Sequence, residues 1–183
     1  MIAFIGLGNV GERYSKTKHN AGFWVIDELA KRNKATFKSG NGDYVYTYIK
    51  SNKVLLIKPT TGMNKSGLAV AQIVRKWGLA IADIFIIVDD IDLPLGTIRI
   101  RPKGGDGCHR GLENIIYQLQ SKEFARIRFG IGAETNMRPS EKYVLEPFLK
   151  NQLLIVEQMI NHCTESLQSI IGRGLNYTMN HYN

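Results

Sequence analysis

The sequence has few cysteines and no long apolar run. Cys108 and Cys163 are the only two cysteines among 183 residues, and no CxxC pair occurs, which favours free thiols in a reducing cytoplasm. No apolar stretch approaches the roughly 20 residues that cross a bilayer. The first residues, MIAFIGLG, lack the basic start and the cleavage site of a signal peptide and are typical of a first strand. We therefore expect a cytoplasmic protein without membrane contact.

Blocks of like charge are also absent, although positive charge is in excess. The 24 Lys and Arg residues exceed the 16 Asp and Glu residues, which gives a net charge of +8. This excess favours a polyanionic partner, with nucleic acid first, and solubility alone is the alternative explanation. Three clusters indicate a shaped basic face: Arg99, Arg101, Lys103 and Arg110; Arg126 and Arg128; and Lys16, Lys18, Lys31 and Lys34.

Strand and helix patterns alternate along the chain. This alternation predicts the α/β class, with residues 1–183 forming a single domain. The expected architecture is a three-layer sandwich in which helices pack around a twisted, mixed and mostly parallel sheet. Strands are predicted at 2–5, 44–49, 54–58, 84–88, 98–101 and 125–131, with a loop at 133–140. Helices are predicted at 21–32, at 111–119, at about 151–172, and from a cap at Asn64 or Ser66 to Trp77.

Some local details of these elements can also be predicted. Asn20 is a suitable cap for the first helix. The short tail after Gly174 is expected to be a brief helix that then frays. Helical periodicity gives the long C-terminal helix a buried stripe made of Leu154, Val156, Met159, Ile160, Leu167 and Ile170.

Polar side chains follow three of the predicted strands. Asn9 and His19 follow the first strand, Asn64 follows the second strand of the hairpin, and Asp89 follows the strand at 84–88. If these strands are parallel neighbours, the four residues converge at one edge of the sheet. A histidine oriented by a carboxylate can act as a general base, and carboxamides can hold a carbonyl or a water. The set predicts a hydrolase that needs no nucleophilic Ser or Cys.

The glycines at the start of the chain match a dinucleotide-binding fingerprint. Gly6, Gly8 and Gly11 follow a predicted strand, as that motif requires. However, no helix opens at Gly8, and the polar segment 12–19 is too long for a turn that grips phosphate. The alternative is that the glycines permit a tight loop. We expect no dinucleotide.

Two groups of residues resemble metal ligands, but their spacing argues against a metal site. Asp89 and Asp90 are neighbours in a predicted strand, so their side chains diverge. No ligand-like spacing connects His19 with the other histidines, which are His109, His162 and His181. We therefore expect no metal and no other cofactor.

The segment 103–110, KGGDGCHR, is a basic, glycine-rich loop before a predicted helix. Such a place suits a phosphate, and a flexible connection is the alternative reading. Cys108 has no partner that marks it as a nucleophile, so we interpret it as a bystander thiol.

Taken together, these segments resemble the bacterial-type peptidyl-tRNA hydrolase family. The resemblance implies hydrolysis of the ester that joins a peptidyl group to the 3′ end of tRNA. It extends over most of the chain, including a similar tail at 174–183. The matching motifs are GLGNVGERYSKTKHNAGF at 6–23, KPTTGMNKSGLAV at 58–70, DDIDLPLGTIRIR at 89–101, GGDGCHRGLENII at 104–116 and RIRFGIG at 126–132.

The resemblance also implies roles for individual residues. His19 would activate water, and Asp89 would orient His19. Asn9 would distinguish blocked from free aminoacyl groups, and Asn64 would hold the substrate near the ester. Tyr14 would contact the tRNA end. A face that binds phosphates would consist of Arg99, Arg101, Lys103, Arg126 and Arg128.

Three positions depart from the family pattern. Val10 replaces a usual proline, Gly62 replaces an aromatic residue beside Asn64, and Arg110 replaces an asparagine in the substrate loop. Gly62 and Arg110 motivate a second hypothesis, a non-catalytic RNA-binding relative of the same fold. A pure binder has no need of the intact His19 set, which favours the enzyme. We expect a monomer.

Overall fold

Among the residues that the structure describes, a seven-stranded mixed sheet forms the middle layer of the fold. The computed structural model describes residues 1–133, 137 and 139–183. The strands are β1 (Ile2–Gly6), β2 (Lys38–Ser39), β3 (Tyr44–Ile49), β4 (Val54–Pro59), β5 (Ile84–Pro94), β6 (Ile98–Arg101) and β7 (Ala125–Gly132). Their order across the sheet is β2-β3-β4-β1-β5-β7-β6. β4, β1, β5 and β7 run parallel, and the other pairs are antiparallel.

Helices cover both faces of the sheet. They are α1 (Ala21–Arg32), α2 (Ser66–Trp77), α3 (Arg110–Leu119), α4 (Ser140–Val144), α5 (Leu153–Arg173) and α6 (Leu175–Tyr182). One apolar core lies between the sheet and α1 and α5, and a second lies between the sheet and α2 and α3. The predicted three-layer α/β sandwich is confirmed. None of the described helices is long and apolar enough to cross a membrane.

The two strands at the centre of the sheet are buried on both faces, which explains their unbroken apolar sequences. Side chains alternate between faces along a strand, so Phe4 and Phe85 enter the core beside α1 and α5, while Ile5 and Ile86 enter the other core. The rings of Phe4 and Phe85 meet edge to face, with centroids 5.4 Å apart. β1 and β5 therefore provide a rigid base for the loops that follow them.

Several predicted details are wrong. The Asn20 side chain does not cap α1, because it bonds to the backbone of Asn9 instead. Leu154 is 65% exposed and does not belong to the buried stripe predicted for α5. The C-terminal tail does not fray, since the Asn183 side chain bonds to both backbone groups of Ile100 on β6.

Two further boundaries differ from the prediction. β5 continues to Pro94 because its pairing with β7 extends beyond the apolar run that marked the strand. Strand β2 was not predicted, and its two residues have no apolar signal. Part of the predicted loop at 133–140 lies outside the described residues, and α4 already begins at Ser140.

Candidate active site

The predicted convergence of polar residues is confirmed. Asn9, His19, Asn64 and Asp89 all line one cavity of about 650 Å³ at the carboxyl ends of the parallel strands. β1 lies between β4 and β5 and runs parallel to both, so the loops after these strands emerge at the same edge. The cavity is bounded on its other sides by the glycine-rich loop at 103–109 and by α4.

His19 and Asp89 are the most closely associated pair in the cavity. His19 Nδ1 lies 2.9 Å from both carboxylate oxygens of Asp89, and the two side chains are 12% and 2% exposed. Asp89 reaches this position from the end of the buried part of β5. The backbone at His19 is a 3₁₀ turn that leads directly into α1, which limits the freedom of the ring.

The charges of this pair depend on each other. Burial raises the pKa of Asp89, but contacts with His19 and His109 outweigh burial and hold that pKa well below its ordinary value. Burial lowers the pKa of His19, but the charge and hydrogen bond of Asp89 outweigh burial and raise it. Asp89 is therefore a carboxylate near neutral pH, and it holds the proton of His19 on Nδ1.

His109 is a cavity residue whose contact with Asp89 was not predicted from the sequence. Its Nε2 lies 3.2 Å from Asp89 Oδ1, and its ring centroid is 4.9 Å from that of His19. His19 and His109 are 90 residues apart in the sequence, and this spacing does not indicate that their rings meet. Only its position before a predicted helix was informative. A polar residue just before a helix that begins at this edge of the sheet lies near the cavity.

The spacing argument against a metal was wrong, because folding brings three residues of metal-ligating type together. The ligand atoms of His19, Asp89 and His109 all lie within 4.8 Å of one another. Hydrogen bonding nevertheless disfavours a metal there. His109 Nδ1 accepts the amide protons of Gly111 and Leu112, whereas an imidazole that binds metal through Nε2 carries a proton on Nδ1. The cluster fits a hydrogen-bonded relay better than a cation site.

The carboxamide oxygen of Asn9 is hydrogen-bonded to the protein backbone. Its Oδ1 accepts the backbone N–H of Met63 at 2.9 Å. Its backbone N–H and C=O pair with the side chain of Asn20 at 2.8 and 3.0 Å. Asn9 Nδ2 has no protein partner within the described part of the chain. This amide therefore offers a donor to the cavity.

Asn64, Gly62 and Tyr14 form the more open side of the cavity. Asn64 lies in a 3₁₀ turn, is exposed, and makes no side-chain hydrogen bond to any described residue. Gly62 has an extended backbone that any residue adopts, and an added Cβ would meet only Asn64 Oδ1, at 3.4 Å. Tyr14 is half-buried. The glycine thus leaves open space where a larger side chain fits.

The structure places most cations of the predicted basic face at or near the cavity. Arg101, Lys103, Arg110 and Arg128 line the cavity, and Arg99 shares a sheet face with Arg101. Arg128 pairs with Asp90, whose side chain diverges from Asp89 as predicted. The other pairs are Lys103 with Glu123 at 3.1 Å and Arg110 with Glu141 at 3.3 Å.

Arg126 and Lys18 are not part of an exposed basic face. Arg126 is 2% exposed, and its guanidinium donates to four backbone carbonyls, those of Gly104, Gly105, Lys122 and Phe124. Lys18 is 4% exposed, and its Nζ donates to the carbonyls of Tyr143, Glu146 and Pro147. Arg126 therefore fixes the glycine-rich loop, and Lys18 ties the His19 turn to the segment after α4.

Known proteins are similar to the whole of this chain. A family model described as peptidyl-tRNA hydrolase matches residues 3–183. A peptidyl-tRNA hydrolase of Thermodesulfovibrio yellowstonii is 43% identical over 186 residues, covering 100% of this chain and 99% of the relative. One of Geobacillus thermodenitrificans is 40% identical over 185 residues, covering 100% of both.

Solved structures agree with these sequence matches. The crystal structure of peptidyl-tRNA hydrolase from Acinetobacter baumannii is 30% identical in sequence and superposes with a TM-score of 0.93. The match covers 100% of this chain and 94% of that one. The similarity to peptidyl-tRNA hydrolases therefore covers the whole sequence and includes the sheet whose edge forms the cavity. The chain belongs to the peptidyl-tRNA hydrolase family.

Proposed function

We propose that the chain hydrolyses the ester between a peptidyl group and the 3′ end of tRNA and so recycles the tRNA. The observation that carries this proposal is the contact between His19 Nδ1 and Asp89 at 2.9 Å in a cavity open to solvent. Because Nδ1 is occupied, the free lone pair belongs to Nε2, which has no hydrogen-bond partner among the described residues. That nitrogen is suited to accept a proton from water.

The reaction needs only one water and the groups of the cavity. His19 Nε2 takes a proton as the water oxygen attacks the ester carbonyl carbon. The tetrahedral intermediate then expels the ribose oxygen of the terminal nucleotide, and the protonated His19 returns its proton to that oxygen. Asp89 stabilises the positive imidazolium between these two steps, as the carboxylate does in other His–Asp pairs.

The two asparagines support binding near the ester. Asn9 presents Nδ2 as a donor, since its Oδ1 is bonded to Met63, and the donor is suited to a carbonyl of the blocked aminoacyl group. Asn64 is exposed beside it and is proposed to hold the substrate. Tyr14 and Gly62 border the same side and are proposed to contact the tRNA end.

We assign phosphate contacts to five cations at or near the cavity, of which Arg101, Lys103 and Arg110 are exposed and the other two are half-buried. The negative backbone of tRNA requires several such contacts, and they add affinity without sequence specificity. We propose a monomer as the active form. We further propose that residues 1–183 act as one domain in the cytoplasm. The assigned cations are Arg99, Arg101, Lys103, Arg110 and Arg128.

The direct test is release of peptide from a purified N-blocked aminoacyl-tRNA. We expect free peptide and intact deacylated tRNA, with much slower release from the matching unblocked aminoacyl-tRNA. Tight tRNA binding without ester cleavage would contradict the enzyme and support the RNA-binding relative, which the open space at Gly62 and the Arg110 substitution favour. Preincubation with a chelator should leave the rate unchanged.

A further inference from the structure

His109 is held from two sides. Its Nδ1 accepts hydrogen bonds from the backbone amides of Gly111 at 3.1 Å and Leu112 at 3.3 Å, so its side chain is the N-cap of α3. Its Nε2 faces Asp89 Oδ1 at 3.2 Å. The ring is also closely packed, since a Cβ on Gly111 would lie only 2.9 Å from His109 Cε1. One side chain thus joins a helix terminus to the carboxylate beside His19.

The helix terminus determines which nitrogen of His109 carries the proton. An amide N–H donates only to a lone pair, so Nδ1 is unprotonated while it caps α3. In a neutral imidazole the proton is then on Nε2, the nitrogen that faces Asp89. The capped helix therefore directs an N–H donor at Asp89 Oδ1.

Asp89 depends on this donor because its carboxylate is buried. The Asp89 side chain is 2% exposed, and its described hydrogen-bond partners are His19 Nδ1 and His109 Nε2. A buried charge needs its full set of hydrogen bonds, and losing one is costly. Donors from two different elements also restrict rotation of the carboxylate. The orientation of His19 consequently depends on both contacts that hold Asp89.

We propose that His109 is a positioning residue for the hydrolysis, with the N-terminus of α3 holding its Nε2–H on Asp89 so that Asp89 stays aligned with His19. The inference rests on the proposed function, because it assigns His109 to the same reaction. It differs from a purely structural role, in which His109 would only cap α3.

Two substitutions separate the cap from the contact with Asp89. In His109→Asn, the amide oxygen takes the place of Nδ1 and keeps the cap, but the side chain is too short to reach Asp89. In His109→Gln, the amide nitrogen reaches the place of Nε2 and keeps the donor, but the cap is lost. Ile170→Val, which removes one buried methylene from α5, is a matched control for small losses of stability.

We expect His109→Asn to lower kcat about 10- to 100-fold with KM unchanged, and to lower Tm by about 2–4 °C, since a hydrogen bond to a buried charged group is lost. His109→Gln should keep most of the wild-type kcat, while its Tm falls by about 2–4 °C because the cap of α3 is lost. Ile170→Val should lower Tm without lowering kcat. Wild-type kcat in His109→Asn would overturn the proposal, as would equal losses of kcat in both His109 variants.

Nitrogen-15 NMR of the histidine rings gives a readout that is independent of activity. We expect the Nε2–H tautomer for His109 in the wild-type chain at pH 7, and a proton on Nδ1 would overturn the proposal. A wild-type chain that releases no peptide would instead defeat the proposed function. In that case, the NMR measurement would still show whether the N-terminus of α3 directs the Nε2–H of His109 towards Asp89.

Discussion

Asn20 and Asn9 form a two-way bridge across the loop that precedes His19. Asn20 Oδ1 accepts the backbone N–H of Asn9 at 2.8 Å, and Asn20 Nδ2 donates to the Asn9 carbonyl at 3.0 Å. Asn20 is 3% exposed, so these bonds are shielded from water. The bridge keeps Asn9 in place although Val10, the next residue, is 53% exposed.

Removing this bridge should affect both stability and turnover. Asn20→Ala leaves two backbone groups of Asn9 without partners, which should cost about 1–3 kcal/mol of folding free energy and lower kcat/KM. Asn20→Asp keeps the acceptor for the Asn9 amide but loses the donor, so its effect on stability should be smaller. Thermal melting and steady-state hydrolysis measure the two effects. Full activity in Asn20→Ala would contradict the positioning of Asn9 by Asn20.

The pH profile should report the contact between His19 and Asp89. Burial lowers the pKa of His19, but Asp89 raises it above its ordinary value overall. Because the general base must be unprotonated, activity should fall below that raised pKa, and this fall is the acidic limb of kcat/KM. Asp89→Asn removes the raising charge, so the limb should move to lower pH, and kcat at pH 8 should drop by about 10²–10⁴. A limb that stays in place would exclude Asp89 as its cause.

Lys18 should stabilise the fold without contributing to tRNA affinity. Its Nζ donates to the carbonyls of Tyr143, Glu146 and Pro147 and lies 4.2 Å from the centre of the Tyr143 ring. Lys18→Met removes all three of these bonds. The carbonyls of Tyr143 and Glu146 keep backbone donors, but the Pro147 carbonyl loses its Lys18 donor, so we expect a loss of about 1–3 kcal/mol in the free energy of unfolding. Denaturant melts measure the loss. Lys16→Met, at an exposed position, is the matched control and should melt like the wild type.

Salt dependence should separate the two kinds of arginine near the cavity. Both arginines line the cavity, but Arg101 is exposed, whereas Arg126 is buried and donates to backbone carbonyls. Arg101→Gln should reduce the slope of log K against log salt for tRNA binding by about 0.7–0.9, the contribution of one phosphate contact. Arg126→Gln should leave the slope unchanged and lower Tm. Equal changes in slope would contradict the assignment of Arg126 to the loop.

An aromatic residue at position 62 should strengthen binding of the tRNA end. The backbone of Gly62 is extended, and the nearest atom to an added Cβ is Asn64 Oδ1 at 3.4 Å. Gly62→Phe should therefore fold normally and lower KM about fivefold or more, since stacking on one base contributes about 1–3 kcal/mol. Gly62→Leu controls for size alone. A KM that does not change in Gly62→Phe would place the terminal base elsewhere.

The sequence predicts the architecture because the sheet has two buried faces. Strands such as Ile84–Val88 must be apolar throughout, and Asp89 then marks the point where burial of apolar side chains ends. Residues that follow parallel strands meet at one edge whatever the length of their loops, so His19, Asn64 and Asp89 could be brought together from order alone.

The roles of His109, Arg126 and Lys18 depend on tertiary contacts that no local pattern records. In a strand with alternating side chains, a buried arginine and an exposed arginine have the same kind of sequence neighbours. Arg126 is buried because the glycine-rich loop lies over it. Likewise, Lys18 precedes His19 in a polar loop, and its burial depends on carbonyls more than 120 residues away. Sequence spacing gives no distance for such pairs.

The most direct test of the account is the single-turnover rate of ester cleavage in His19→Ala, with excess enzyme over N-blocked aminoacyl-tRNA. Loss of a general base should slow cleavage by about 10²-fold or more, while the Kd for tRNA and the melting temperature stay close to those of the wild type. His181→Ala, which removes an exposed histidine on α6, should cleave at the wild-type rate. An unchanged cleavage rate in His19→Ala would contradict the assignment of His19 as the base.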